Sequence, residues 1–214
     1  MIFLLIGIVA VLYILGRKSV SKSRYKIANG KINMIFGLRG CGKSTHAAYV
    51  VSRCNKFNVA VFSNFPIHGA YQLGDICEAD YPVGSVLIID EAGLAWGNRD
   101  FKSMPKDVIE FFKMSRHHEY TIYLYSQAYN DCDKKIRDLT DNMIYCSKLG
   151  AFSRYIKMTQ YIGVDEGGQP CTQYKPLKPL KFLFCHWLHR KRYYKLFDSY
   201  AYVPKEEGRA IIPW

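Results

Sequence analysis

Acidic residues are absent from the first third of the chain, in which no Asp or Glu precedes Asp75. Basic residues are frequent in the same region, and those that follow the first apolar segment are Arg17, Lys18, Lys22, Arg24, Lys26 and Lys31. The formal net charge of the 214 residues is +12. This imbalance predicts an anionic partner, which can be nucleic acid, a lipid surface or the phosphates of a nucleotide. A chain of this length is expected to form one domain.

Cysteine pairs at a CxxC spacing are also missing. The seven cysteines are scattered along the chain, which argues against a disulfide framework and against a zinc ribbon. The segment 185–189 combines one cysteine with two histidines, but no second pair of ligands stands at a plausible zinc spacing. We therefore expect reduced thiols in a cytosolic domain and no metal other than a nucleotide-bound Mg²⁺.

Charged residues are missing from residues 2–16 as well. A helix over this segment would be roughly 22–24 Å long, and Arg17 and Lys18 can extend toward the interface of a membrane core of about 30 Å. A cleaved signal peptide would need basic residues before its apolar core, and a buried helix would need a polar face. The pattern favours a transmembrane anchor over residues 1–16 and a basic linker over residues 17–30. The positive-inside rule then predicts a single-pass protein with the rest of the chain in the cytosol.

A glycine-rich segment carries the most specific signal in the chain. It follows the apolar run 32–36, which suits a buried strand, and precedes residues 45–54, which suit a helix. Strand, glycine loop and helix in this order form a P-loop, whose backbone amides and helix start surround phosphates. The residues predicted to bind the nucleotide are Gly37, Leu38, Arg39, Gly40, Cys41, Gly42, Lys43, Ser44 and Thr45. Lys43 would reach the β and γ phosphates of ATP, and Ser44 would bind Mg²⁺.

Two carboxylates, Asp90 and Glu91, directly follow a second apolar run, residues 86–89. A run of this kind predicts a central strand, and open α/β sheets bind ligands at the carboxyl ends of their strands. Asp90 is expected to hold Mg²⁺, and Glu91 is expected to polarise the attacking water as general base.

A third strand-like run, residues 121–126, ends at Gln127. From a neighbouring strand end, this amide could sense the γ phosphate, so Gln127 is a further candidate catalytic residue. Residues 58–62 and 143–146 predict two more strands. Together these runs predict an α/β fold, a P-loop NTPase with a mostly parallel, helix-flanked sheet that follows the N-terminal transmembrane helix.

Basic residues outside the loop have two candidate roles. In a ring of subunits, an arginine from one subunit can stabilise phosphoryl-transfer charge in its neighbour's site, and we consider Arg137 first, then Arg116 and Arg99. Residues 175–195 form a second basic region with interleaved aromatic side chains. Such a region can bind nucleic acid, but it can equally lie at a membrane surface or on a solvated sheet face.

With these segments in place, the chain resembles the zonula occludens toxin-like (Zot) family, the assembly ATPases of filamentous bacteriophages. The segments that carry the resemblance are 37–44, 59–66, 88–92, 115–118, 125–127, 135–139 and 193–200. They define an ATPase domain over residues 31–200, with a hairpin insertion at 151–175 and a tail at 201–214. The resemblance implies an ATPase of the host inner membrane that drives extrusion of single-stranded phage DNA as coat protein assembles around it. The well-known members place their membrane span after the ATPase domain, whereas the candidate span here precedes it.

The leading hypothesis is a membrane-anchored motor that couples ATP hydrolysis to export of a DNA–protein assembly. Its expected partners are further copies of itself in a ring, phage coat and assembly proteins, the membrane and, as a candidate, single-stranded DNA. One alternative is a duplex-DNA pumping or conjugation-type ATPase, which residues 175–195 fit equally well. Another is a membrane scaffold that binds nucleotide without hydrolysing it. Glu91 argues against the scaffold, because binding alone does not need a water-activating base.

Overall fold

The residues described by the computed structural model are 30–92, 105–164, 170–176 and 185–198. Within these ranges, no helix is both long and apolar enough to cross a membrane. The predicted anchor at 1–16, nearly all of the basic linker, the tail at 201–214 and Arg99 lie outside the described residues. The anchor and its orientation therefore stay predictions.

The described chain forms a sheet with three helices. The strands are β1 (Ile32–Phe36), β2 (Val61–Ser63), β3 (Tyr71–Gln72), β4 (Val86–Ile89), β5 (Thr121–Ser126), β6 (Asn142–Leu149), β7 (Phe152–Val164), β8 (Pro170–Pro176) and β9 (His186–His189). The helices are α1 (Lys43–Lys56), α2 (Lys106–Met114) and α3 (Lys134–Asp138). Single turns of 3-10 helix cover Tyr129–Asp131, Arg190–Arg192 and Tyr194–Leu196.

All of these strands join one nine-stranded sheet in the order β3-β2-β4-β5-β1-β6-β7-β8, with β9 paired to β7. Every pairing from β3 to β6 is parallel. The pairings of β7 with β6, β8 and β9 are antiparallel. The prediction of an α/β fold with a mostly parallel sheet is confirmed.

The parallel part of the sheet is covered on both faces. Every residue of β5 is buried, and successive side chains of a strand point to opposite faces. Tyr123 and Tyr125 accordingly lie in a core with α1, whereas Ile122 and Leu124 lie in a second core with α2 and α3. Burial on both faces explains why the strands are continuous apolar runs rather than alternating ones.

The register of the central strands brings three strand ends together. Strand β1 pairs with β5 and β6, and β5 pairs with β4. Phe36 lies opposite Ser126, and Ile89 lies opposite Leu124. The chain segments that follow β1, β4 and β5 therefore leave the sheet at the same edge, side by side.

Most predicted elements lie close to their expected positions. Helix α1 contains the predicted helix at 45–54, and β6 contains the predicted strand at 143–146. The strand predicted at 58–62 begins later, at Val61, because Asn58 takes a left-handed backbone conformation (φ 53°) in the turn after α1. The region predicted as a hairpin contains β7 and β8, which pair with each other. Its status as an insertion, like the other domain boundaries, stays a prediction.

Candidate active site

The glycine-rich loop lies between β1 and α1, as predicted. Gly42 is the residue before the first turn of α1 and has φ 112°. A Cβ atom at Gly42 would lie within 2.8 Å of the Ser153 Cβ and would overlap the Ser153 hydroxyl, so this position needs glycine. The first turn of α1 contains no acidic residue, so its positive end is available to an anion.

Lys43 lies inside the loop and is buried. Its Nζ atom donates hydrogen bonds to the carbonyl of Gly37, at 2.9 Å, and to the carbonyl of Leu38, at 3.4 Å. Ser44 and Thr45 follow on the first turn of α1 and line the same cleft as Lys43. Six of the nine predicted nucleotide-binding residues line one cavity, whereas Gly37, Leu38 and Cys41 are not part of its lining.

Three consecutive carbonyl groups of the loop accept hydrogen bonds from residues that follow the parallel strands in the chain. The bonds are Arg190 Nη1 to Gly40 at 3.3 Å, Ser153 Oγ to Cys41 at 2.6 Å and Tyr155 Oη to Gly42 at 2.7 Å. The N–H and C=O groups of a trans peptide point in opposite directions. Holding the carbonyls of Cys41 and Gly42 against β7 therefore directs the N–H groups of Gly42 and Lys43 away from β7.

Cys41 contributes its backbone to this arrangement. Its carbonyl also accepts a hydrogen bond from the Cys146 thiol at 3.3 Å, and its side chain is buried. Interaction with the Cys146 side chain, together with the nearby charge of Lys43, lowers the pKa of the Cys41 thiol, despite an opposing effect of burial.

The acidic pair follows β4 directly. The Asn64 side chain fixes the backbone of Asp90, because the Asp90 N–H donates to Asn64 Oδ1 at 2.7 Å and Asn64 Nδ2 donates to the Asp90 carbonyl at 2.9 Å. The next residue, Glu91, has a left-handed backbone conformation with φ 50°, which is uncommon for a residue other than glycine and is found at functional sites. The role of Asn64 is not apparent from the sequence.

Asp90 and Glu91 differ in their surroundings. Burial and, to a smaller extent, the neighbouring carboxylate of Glu91 raise the pKa of Asp90 to about 6, against the opposing effects of a hydrogen bond from the Glu91 N–H and the charge of Lys43. Glu91 accepts a long hydrogen bond from Gln127 Nε2, at 3.5 Å. The structure thus brings the predicted base and the predicted sensor into contact.

The donor set beside the loop suits Mg²⁺. Ser44 and Asp90 line the same cleft as Lys43, and hydroxyl and carboxylate oxygens are ligands that Mg²⁺ accepts together with phosphate oxygens and water. A cation would offset the desolvation of the Asp90 carboxylate. The residues present therefore fit the predicted metal.

The candidate trans-acting arginines lie in two different places. Arg137, on α3, donates to Asn130 at 2.5 Å, and its guanidinium carbon lies 5.5 Å from the centre of the Tyr129 ring. Arg116 forms an ion pair with Asp141 at 3.3 Å. Asp141 precedes β6 and also accepts from the N–H of Ile32, at the start of β1, so Arg116 lies at the sheet edge opposite the glycine loop. Their action on a neighbouring subunit stays a prediction.

A cleft of about 840 Å³ contains the site. Its lining combines the loop, the start of α1 and the acidic pair with four residues that follow β9, which are Arg190, Tyr194, Phe197 and Asp198. The sequence offered two indirect signals for these residues. One is the basic and aromatic composition of 175–195, and the other is the resemblance of segment 193–200 to the Zot family. Neither signal indicated that this segment lies beside the glycine loop.

Comparison with known proteins gives one family and several similar folds. The sequence model of the family described as "Zonular occludens toxin (Zot)" matches residues 33–202. The N-terminal domain of zonular occludens toxin from Neisseria meningitidis has a similar fold, with a TM-score of 0.52 and 17% sequence identity over 78% of this chain and 98% of that one. No curated protein sequence matches the chain.

More distant similarity is found to two other solved structures. The DNA-packaging ATPase B204 of Sulfolobus turreted icosahedral virus gives a TM-score of 0.45 at 14% identity, over 71% of this chain and all of that one. The flagellar accessory protein FlaH of Methanocaldococcus jannaschii gives a TM-score of 0.43 at 12% identity, over 68% of this chain and 90% of that one.

Proposed function

Because the chain belongs to the zonular occludens toxin (Zot) family, we propose that it is an ATPase of the host inner membrane that powers the assembly and extrusion of filamentous phage. The observation that carries the enzymatic part is the meeting of three strand ends at one edge of the sheet. The glycine loop with Lys43 and the acidic pair follow β1 and β4 and line one cleft, and Gln127, after the neighbouring strand β5, contacts the cleft residue Glu91.

Binding begins at the loop. The N–H groups of Gly42 and Lys43 and the positive end of α1 face the phosphates. The Lys43 ammonium, which donates to the carbonyls of Gly37 and Leu38, transfers its hydrogen bonds to the β and γ phosphate oxygens. Ser44 and Asp90 would hold Mg²⁺, which would neutralise part of the charge that develops on the phosphates.

Hydrolysis requires a water molecule aligned with the γ phosphate. The Glu91 carboxylate accepts a proton from that water, and its backbone position is held from the side of Asp90 by Asn64. The Gln127 amide, 3.5 Å from Glu91 Oε1, orients the carboxylate and detects the γ phosphate. A base of this kind contributes roughly 10²- to 10⁴-fold to a rate.

Conversion of hydrolysis into movement needs subunits that sense one another. We assign this role to a ring in which Arg137 of one subunit reaches the site of the next, since Arg137 lies near the segment that follows β5 and Gln127. The anchor at 1–16 keeps the ring at the membrane, with its ATPase domains in the cytosol. Phage coat and assembly proteins are the partners, and the DNA is single-stranded.

The test compares virion release from cells that produce the wild-type protein or Lys43→Ala. We expect Lys43→Ala to remain in the membrane fraction but to lose ATP hydrolysis and virion release, because the ammonium has no substitute. Lys56→Ala, at the far end of α1, is the matched control and should behave as wild type. Undiminished virion release by Lys43→Ala would refute the motor role. ATP hydrolysis stimulated by duplex DNA and not by coat protein would replace filamentous extrusion with DNA pumping.

A further inference from the structure

A further part of the cleft lining comes from residues 190–198, here termed the C-terminal strap. Its side chains in the cleft are Arg190, Tyr194, Phe197 and Asp198. None of these has a part in the hydrolytic chemistry proposed above. A nucleoside triphosphate placed with its phosphates in the loop still has a ribose and a base to accommodate, and the strap forms the remaining wall.

The strap is held in place by its backbone and by buried side chains. The N–H of His68 donates to the carbonyl of Leu196 at 2.7 Å, and Phe197 forms an antiparallel bridge with Ile67. Tyr193 is buried and contacts Tyr49 of α1, with ring centres 6.0 Å apart. The side chains between these anchors therefore project from a fixed backbone.

Arg190 ties the strap directly to the phosphate loop. Its guanidinium donates to the carbonyl of Gly40 and to the carbonyl of Gly150, at the β6–β7 turn. One side chain of the strap thus contacts both the loop and the turn between β6 and β7.

Tyr194 differs from its neighbours in exposure. It is 49% exposed, whereas the preceding Tyr193 is 8% exposed and belongs to the core. Its ring lies 6.4 Å from that of Phe197, at an interplanar angle of 85°, so two aromatic rings with a fixed mutual orientation border the cleft. An aromatic ring half exposed beside an anion site is suited to stacking against a flat heterocycle.

We propose that the C-terminal strap is the base-binding wall of the nucleotide site, with the base stacked on Tyr194 next to Phe197. This inference rests on the proposed function, because it needs the triphosphate in the glycine loop. Stacking accepts any base through its π face, and a purine offers more area than a pyrimidine. The site should therefore prefer purine nucleotides to pyrimidine nucleotides.

The experiment distinguishes binding of the base from binding of the phosphates with two probes, ATP and inorganic tripolyphosphate. Affinities of both are measured with Mg²⁺ by titration calorimetry on the purified full-length protein, for wild type, Tyr194→Ala, Tyr194→Phe and Lys43→Ala. Tyr71→Ala is the matched control, because Tyr71 is similarly exposed (43%) and lies on β3, outside the cleft.

We expect Tyr194→Ala to weaken ATP binding roughly 5- to 100-fold and to leave tripolyphosphate binding unchanged. Tyr194→Phe should bind ATP as wild type does, and wild type should bind ATP and GTP more tightly than UTP. Unchanged ATP affinity in Tyr194→Ala, or an equal loss for ATP and tripolyphosphate, overturns the base-binding wall. Failure of the wild-type protein to bind either probe would instead contradict the proposed nucleotide site itself.

Discussion

The two parts of the sheet contribute to the cleft in different ways. The parallel part, β1 to β6, provides the groups expected to touch the nucleotide, namely the loop, the acidic pair and Gln127. The antiparallel part consists of β7 and β9 with the C-terminal strap. It holds the loop through hydrogen bonds that Ser153, Tyr155 and Arg190 donate to the loop carbonyls. A phosphate loop in this protein is therefore shaped by side chains more than 100 residues away along the chain.

The parallel part is therefore expected to carry out hydrolysis, and the antiparallel part is expected to hold the loop in the shape that binds the nucleotide. Removal of a group in the parallel part should abolish a step of hydrolysis, whereas removal of a group in the antiparallel part should leave the chemistry intact and weaken nucleotide binding. Two of the three loop carbonyls have a second donor, since Gly42 also accepts from the N–H of His46 and Cys41 also accepts from Cys146. The loss of one donor should therefore cost about 0.5–1.5 kcal/mol rather than the larger penalty of an unpaired buried group.

The largest effect on nucleotide binding is expected at Gly42, where an added Cβ would overlap Ser153 of β7. In Gly42→Ala the new Cβ overlaps Ser153 and the left-handed backbone is strained, so the loop must move and ATP affinity should fall by about 100-fold. Gly40→Ala is the control, because its backbone is also left-handed (φ 71°) but nothing lies within 4 Å of the added carbon. Equal losses in the two variants, measured by ATP titration, would show that contact with β7 does not matter.

The double variant Gly42→Ala with Ser153→Gly tests whether the overlap with Ser153 causes the loss of affinity. Removing the Ser153 side chain relieves the overlap and leaves the backbone strain, one lost hydrogen bond and a close approach of the new Cβ to the Tyr155 hydroxyl at 3.2 Å. ATP affinity should recover in part, and no recovery would place the defect outside the contact between the loop and β7.

A smaller effect is expected from Tyr155→Phe, which removes one hydrogen bond to the loop and keeps the ring in the core. We expect about 2- to 10-fold weaker ATP binding with little change in kcat, because the hydroxyl donates to the Gly42 carbonyl and has no assigned part in hydrolysis. Tyr161→Phe is the matched control on the same strand, where the hydroxyl bonds Gln173. A Tyr155→Phe variant with normal KM and reduced kcat would contradict the division of roles.

The last prediction concerns the free energy of unfolding rather than nucleotide binding, and it involves the contact between α1 and β9. Burial lowers the pKa of His46 to about 3 and that of His186 to about 4, and each lies near the other, with ring centres 6.4 Å apart. In the unfolded chain both histidines have a pKa of about 6.5, so the contribution of the neutral histidines to the free energy of unfolding is complete above that pH. It is lost as pH falls from about 6.5, by about 1.4 kcal/mol per pH unit for each histidine.

The measurement is urea denaturation between pH 7 and pH 5. The variant His46→Asn can keep a polar contact with the Tyr125 hydroxyl, which lies 2.9 Å from His46 Nδ1, and should show a shallower decline of the free energy of unfolding. His117→Ala, at an exposed position, should decline as steeply as wild type. An unchanged slope in His46→Asn would contradict the assignment.

The elements that could be predicted from the sequence are those with local signals. A glycine loop between an apolar run and a helix, and carboxylates directly after a strand, are visible within about ten residues, so the loop, Asp90, Glu91 and Gln127 were predicted together. Asn64 follows β2 as an ordinary polar residue, and only the parallel pairing of β2 with β4 brings it to Asp90.

The groups that hold the loop could not be predicted because their contacts are distant in the chain. A serine and a tyrosine at alternate positions of a strand are common on any half-buried face, and nothing local connects Ser153 or Tyr155 with residues 41 and 42. The same reason applies to Arg116, whose helix-to-strand connection carries it to the opposite sheet edge, beside Asp141.

The most direct test of the account is the steady-state rate of phosphate release from ATP by the full-length protein and by Glu91→Gln, with ATP affinity measured on the same samples. We expect turnover by the wild-type protein. In Glu91→Gln we expect a kcat lower by at least about 100-fold with an unchanged Kd for ATP. Equal turnover in the two proteins, or none in the wild type despite tight ATP binding, would contradict a hydrolytic cleft built on these three strand ends.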